Sequence, residues 1–424
     1  MSGLFSPLRQ REVLLLFGAQ VASGFGDWAG RLAITVIVFE RSDSVMWAAM
    51  VTAVSLLPWV GPGQLLATLA DRLGRLTVMI GADLVRAAIY LVLLATLPLP
   101  VTLLLAFAAG MVTPAFAAAR SAAMVDIIEP AMYGRALKLW GATVQFEAMI
   151  GFAVGGIIVG TVGVPAAIVF NAATFIVSAL LLLPLRSTAA AEPRHEARVG
   201  IGGLVDGVRV WRSDPHLTKA LLLFVVVGAF SILPEALAVP LVAESDLPDV
   251  FVGLLIAAGA GISMIVMATL PDLDDDEALI RTAGVRTARY ALLASALFAV
   301  VAILTSSGWS DARVAVAALP AIAALAAYAV AGGVDAVGVP TNQVVGRRLP
   351  AEGRAGAMAV GMGAGYGAQA LMIAIVGSIA SALSVAAVLS GALFVAGALS
   401  VWIIRTPTAH SEANSSKASS ARGP

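Results

Sequence analysis

The sequence contains no cysteine, which excludes disulfides, thiolate nucleophiles and cysteine metal sites. Histidine is nearly as scarce: His195, His216 and His410 all lie in polar connecting or tail segments, leaving no material for a buried histidine base or a histidine metal centre. Charged residues are 12% of the chain, about half their share in a soluble domain. The 26 Lys and Arg balance the 26 Asp and Glu, so net charge suggests no nucleic-acid partner. Gly-rich runs such as 360–368, "VGMGAGYGA", have no strand or Walker lysine beside them. They therefore cradle no phosphate, and ATP is not expected as an energy source. No catalytic constellation, cofactor site or metal site is expected.

What the chain has instead is apolar length. Of its 424 residues, 60% are hydrophobic, and crossing the ~30 Å hydrocarbon core takes about 20 such residues in a row. Apolar runs fall near 13–39, 46–69, 77–97, 100–124, 137–162 and 164–185, then near 218–243, 250–270, 287–306, 314–342, 356–380 and 383–404. The expectation is an all-α membrane protein of twelve transmembrane helices in two pseudo-symmetric six-helix bundles. Residues 1–188 would form the first bundle and 217–405 the second. A linker at 189–216 would carry an amphipathic helix, since Ile201, Leu204, Val205, Val208 and Trp211 recur at helical spacing. The small, polar tail 406–424 is expected to be disordered. A duplication is legible in "TPAFAAARSAAMVDIIEPAMYGRAL" and "VPTNQVVGRRLPAEGRAGAM", which share Pro, Arg, Pro and Gly-Arg-Ala in order.

Arg9 and Arg11 precede the first run without a small-residue cleavage site, so a retained first helix is expected rather than a signal peptide. With that helix entering from the cytoplasm, the outer connections hold only Arg41 and Arg313. The positive-inside rule then predicts both termini on the cytoplasmic side of the inner cell membrane.

The segment "LADRLGR", Leu69–Arg75, between the second and third runs resembles the signature loop of the major facilitator superfamily, with Ala67 where that signature carries its first Gly. The stretches "GDWAGRLAITVIVFERSDS", "ADLVRAAIYLVL" and "FNAATFIVSALLLLPLR" resemble the drug and siderophore exporter branch that includes macrolide efflux proteins. "IGFAVGGIIVG" has Phe152 where that branch usually has proline. The resemblance implies secondary active transport by alternating access: proton-coupled efflux, as an antiporter, of an amphipathic small molecule such as a drug, antibiotic or siderophore-like compound. Import of a small metabolite on the same fold is the alternative, and a membrane-embedded enzyme or scaffold a more distant one. A small-molecule substrate, protons and the lipid bilayer are the implied partners, and a monomer is expected.

Charges inside apolar runs are the candidate site, because a lone charge at the bilayer centre costs about 2.5–3.5 kcal/mol. Asp83 and Arg86, three apart, and Asp27 and Arg31, four apart, can each pair along one helix face. Glu147 has no basic residue at helical spacing and is the candidate for proton exchange or cation recognition. Glu235, beside Pro234, is a possible outer gate. Asp335 is placed to meet Arg347 or Arg348. The resemblance further implies a conformational latch in which Asp71 of the signature loop (with Arg72, Gly74 and Arg75) meets Arg120; Arg72 and Arg75 also serve topology. Asn171, Tyr366 and Gln369 are candidate cavity-lining residues. Trp28, Trp47, Trp59, Trp309 and Trp402 are expected as interfacial anchors, and the acidic run of 271–289 as a solvated inner loop.

Overall fold

A computed structural model describes residues 5–61, 73–187, 201–269, 275–306, 319–335, 338–350 and 354–406. Among these the regular structure is helical throughout. The first half comprises α1 (Arg11–Ser42), α2 (Val45–Val60), α3 (Arg75–Val92), α4 (Leu99–Ile127), α5 (Pro130–Thr161) and α6 (Val164–Leu182). A connecting helix, α7 (Ile201–Ser213), leads to a span in three pieces: α8 (Pro215–Ser231), α9 (Leu233–Ala236) and α10 (Ala238–Glu244). There follow α11 (Val250–Ala268), α12 (Asp276–Ser306), α13 (Leu319–Asp335) with α14 (Gly338–Arg348), α15 (Arg354–Ala380) and α16 (Val385–Arg405). These occupy the places of the twelve apolar runs. Asp71, Arg72, Trp309 and most of the expected tail lie outside the described residues, as does the side chain of Asp335.

Nine of the described helices are long and apolar enough to cross a membrane, and Val45–Val60 and Leu319–Val334 are shorter apolar ones. The outer surface is rich in large apolar side chains, and a few charged and polar groups are buried within an otherwise apolar interior. Leu104, Ile303, Leu371 and Phe394 are exposed, whereas Asp83, Arg86, Glu147 and Asn171 are buried. Water would penalise that arrangement, and a bilayer supplies the apolar solvent it requires.

Within the first half α1 packs on α5 and α6, and α3 on α4 and α6; within the second, α12 packs on α13 and α16, and α11 on α13. The halves meet along α5 with α11 and α2 with α15. Glycine makes the first seam possible, since a Cβ on Gly156 would stand 2.7 Å from Cα of Gly253. Gly74 starts α3 at φ +81°, a left-handed conformation that favours glycine.

The expected single run at 218–243 is broken because Pro234 and Pro240 have no N–H to donate to Phe230 and Ala236. The hydroxyl of Tyr328 donates to the carbonyl of Pro234 at 2.8 Å and fixes the first break. The connecting helix α7 docks on the start of α15. Trp211 is buried and its indole N–H donates to the carbonyl of Ala357 at 2.6 Å, while Val205 and Val208 remain exposed.

We call the face on which α1 begins the N face and the opposite one the far face. Two charged clusters stand on the N face, and each closes within its own half. Arg75 pairs with Asp126 and donates to the carbonyl of Ala122, so it ties α3 to α4 in addition to any topological role. Arg348 donates to Asp214 at 2.9 Å and to Asp276, with Arg347 3.5 Å from Asp276; the side chain of Asp335, their expected partner, lies outside the described residues. Burial pushes the Asp214 carboxyl up, but the hydrogen bond from Arg348 and those from His216 outweigh it and hold the group below its usual range. The hydrogen bonds to Asp214 and Asp276 push the Arg348 guanidinium up.

Candidate functional site: a charged chamber between the halves

A chamber of about 550 Å³ lies between the halves, lined from α1, α2, α3, α4, α5, the broken span and α15. Its volume is within the range of small-molecule sites. Three guanidinium groups organise its wall, each contributed by a helix whose other faces are apolar.

Arg86 on α3 is 2% exposed. It donates to Asp83 at 2.6 Å, to Asp27 on α1 at 2.8 Å and to Ser23 at 3.3 Å. Its guanidinium carbon lies 4.3 Å from the ring centre of Phe175 and 4.9 Å from that of Phe116. Asp83, fully buried behind it, also accepts from Ser178 at 2.6 Å. The i, i+3 pair is therefore real, and α1 adds a third member that local spacing does not reveal.

Arg31 is the chief correction. Its i, i+4 spacing to Asp27 favours an intrahelical pair, yet Asp27 pairs with Arg86 and Arg31 reaches across to Glu235 at 2.7 Å. The break at Ile232–Leu237 carries Glu235 to the chamber wall, and Trp28 backs Arg31 at 4.4 Å. This ion pair joins the halves. Beyond it toward the far face, the gap beside Thr35, Thr52 and Val239 measures about 10 Å³. The pair thus stands where the halves close.

The third guanidinium, Arg120 on α4, stacks 4.0 Å from the centre of Trp140 and donates to Gln20 at 3.1 Å. Gln20 in turn donates to Glu147 Oε2 at 2.9 Å. Glu147 is therefore not isolated, as its own helix suggests, because α1 supplies an amide. Its Oε1, however, is buried with no hydrogen-bond partner among the described residues. A Cβ on Gly24 would overlap this carboxylate, so the glycine makes its position possible. Arg120 belongs to this network, and its expected partner Asp71 lies outside the described residues.

Tyr366 and Gln369 line the chamber, as expected of cavity residues, and so do Trp28 and Trp59, which end-of-span reasoning assigns to the interface. Trp59 stacks on Tyr366 at 5.4 Å. Asn171 does not line it; its amide is buried where Gly26 and Gly30 let α1 approach α6. Among the described residues no group of three or more His, Cys, Asp or Glu could hold a metal ion.

The geometry therefore sets four carboxylates, Asp27, Asp83, Glu147 and Glu235, against three guanidinium groups, Arg31, Arg86 and Arg120. Fully ionised, the described network carries one surplus negative charge in surroundings that penalise it. A proton or a ligand cation removes the surplus. The orphaned oxygen of Glu147 marks the place where neutralisation gains most.

Comparison with known proteins agrees with this architecture. The chain is 26% identical over 182 residues to the uncharacterized MFS-type transporter YkuC of Bacillus subtilis, 42% of each chain. It is 26% identical over 215 residues to the multidrug efflux pump Tap of Mycobacterium tuberculosis, 47% of this chain and 50% of that one. The chain spans about half the length of these curated relatives. Among solved structures, a bacterial homologue of the iron transporter ferroportin in an inward-facing state has a TM-score of 0.64 at 13% identity, covering 94% of this chain and all of that one. The peptide transporter POT in complex with sulfate gives 0.68 at 14% identity, covering 93% and 94%. At these identities the solved structures show the shared fold. The model of the Major Facilitator Superfamily matches residues 16–334, and the chain belongs to that superfamily of membrane transporters.

Proposed function

We propose that this transporter is a proton-coupled exporter of an amphipathic small molecule bearing a cationic group. The observation that carries the reading is the surplus carboxylate of the chamber, centred on Glu147 with its unpartnered Oε1. Such a group is neutral with a proton and neutral again with a substrate cation, so the two exchange for one another as antiport requires. The aromatic wall of Trp28, Trp59 and Tyr366 suits the apolar body of an amphiphile and offers π faces to a cation. The similarity to a multidrug efflux pump supports export.

In this reading residues 1–188 and 217–405 act as two bodies that rock about the chamber. Arg31–Glu235 is the gate of the far face, and the basic bias of the N-face segments sets both termini in the cytoplasm of the inner membrane. Asp71, Arg72, Gly74, Arg75 and Arg120 remain the proposed latch region of the N face, with a monomer as the working unit. Everted vesicles test the direction. With tetraphenylphosphonium as probe, gradient-dependent accumulation that Glu147→Gln abolishes is expected. Accumulation in right-side-out vesicles instead would assign import and overturn the reading.

A further inference from the structure

A second cavity of about 160 Å³ adjoins the chamber, bounded by α1, α5, the broken span, α11, α13 and α15. Trp28, Ile232, Glu235 and Gln369 line both, so the smaller space opens from the larger. Its chemistry differs. Phe152, Ile256, Ala260 and Ala331 make its apolar wall, and its one charged lining residue, Glu235, is already paired with Arg31. Bringing a further charge into such a space costs desolvation with no partner to offset it.

The pocket is a built feature rather than loose packing. A Cβ on Gly332 would overlap the Gly259 carbonyl, so α11 and α13 are in close contact behind it. The amide of Gln145 is tied across the halves to Ser263 at 3.2 Å. The break between α8 and α9 borders it, and irregular backbone at membrane depth is tolerated where it lines a cavity. Gln369 lines both spaces and makes no side-chain hydrogen bond among the described residues, so its donor and its acceptor are both uncommitted within the protein. A cavity of about 150 Å³ lined by apolar side chains binds benzene, which sets the size of the group that fits.

From these features we infer that the side pocket is a separate subsite for an uncharged, ring-sized group of the substrate, with Gln369 as the specificity-determining amide at its mouth. The inference rests on the transport reading in that the cationic group of the same molecule occupies the chamber at Glu147. The substrate class is then a cation linked to a neutral aromatic or heteroaromatic ring that carries a hydrogen-bonding group.

The test uses the full-length purified protein in detergent and two probes of separate chemistry. 4-Fluorobenzyl alcohol, neutral and ring-sized, is followed by fluorine NMR; tetrapropylammonium, a cation without a ring, by calorimetry. Ala260→Leu fills the pocket from α11 and should weaken the alcohol roughly tenfold or more while leaving the cation within roughly twofold, because the two sites are separate. Glu147→Gln should do the reverse. Ala148→Val fills the pocket from α5 and serves if the first variant does not fold. Loss of both probes together in a folded pocket variant, or full alcohol binding in both pocket variants, overturns the subsite. Alcohol binding that behaves as expected beside a cation that never binds would sustain the subsite and sink the cation-export reading instead.

Discussion

Removing Arg86 should destabilise this protein more than removing either of its carboxylate partners. Arg86→Met deletes the donor to Asp83, Asp27 and Ser23 and leaves Asp83, fully buried, with only the Ser178 hydroxyl. Breaking a buried pair by removing one member costs about 3–5 kcal/mol, because the remaining charge has no water to return to. Asp83→Asn is a milder change. Arg86 keeps Asp27 at 2.8 Å and Ser178 keeps an acceptor, so one charge-assisted bond is lost, about 1.5–3 kcal/mol. The double variant Asp83→Leu with Arg86→Met removes both buried charges and leaves Asp27, which is 33% exposed and meets the chamber. It should therefore be more stable than Arg86→Met alone. Equilibrium unfolding of the purified protein in mixed micelles, titrated with a denaturing detergent and followed by circular dichroism, measures all three. An Arg86→Met cost no larger than that of Asp83→Asn, or a double variant no more stable than Arg86→Met, would refute the reasoning.

Other consequences of the architecture can be read with equally direct assays. The chain has no cysteine, so Thr52→Cys is a clean reporter beyond the Arg31–Glu235 pair; it should resist a membrane-impermeant maleimide alone, label on Arg31→Leu or Glu235→Gln, and be protected again by the charge-reversed pair. Gly156→Val places carbon where the Gly253 backbone lies, and should separate α5 from α11 and stop transport while leaving membrane insertion intact. The Asp214 carboxyl is held below the usual carboxylate range in the folded protein, so its contribution to stability is present above the unfolded value and is lost as pH falls through the lower folded one. Hydrogen exchange in α14 should therefore rise below about pH 4 in the wild type, and Asp214→Asn should show the raised exchange already at neutral pH.

Helical spacing and apolar run length are local quantities, and what depends on them was legible in the sequence. The spans follow from runs long enough to cross a bilayer, and the Asp83–Arg86 pair from two charges that share a face. The docked helix at Ile201–Ser213 follows from its periodicity, although its landing place on α15 does not. Partners across the fold were hidden for a physical reason. Asp27 and Arg31 satisfy an i, i+4 rule, but each finds a partner on another helix, and Glu235 lies 204 positions from Arg31. Nothing in a single helix tells Gln20 from a lipid-facing amide, or Trp28 and Trp59 from interfacial anchors. Two signals were available in retrospect. Pro234 beside Glu235 marks a break that carries a carboxylate into a cavity, and Gly24, Gly26 and Gly30 mark a face of α1 cut away to admit Glu147 and Asn171.

The central claim is that the chamber's surplus carboxylate trades a proton for the substrate's positive charge. Proton release on ligand binding measures that exchange without a membrane, using the purified protein in weakly buffered detergent near neutral pH. On addition of tetraphenylphosphonium the wild type should release a proton as the cation binds, and Glu147→Gln should release none. Binding to the wild type without proton release, or equal release from both proteins, would contradict the account.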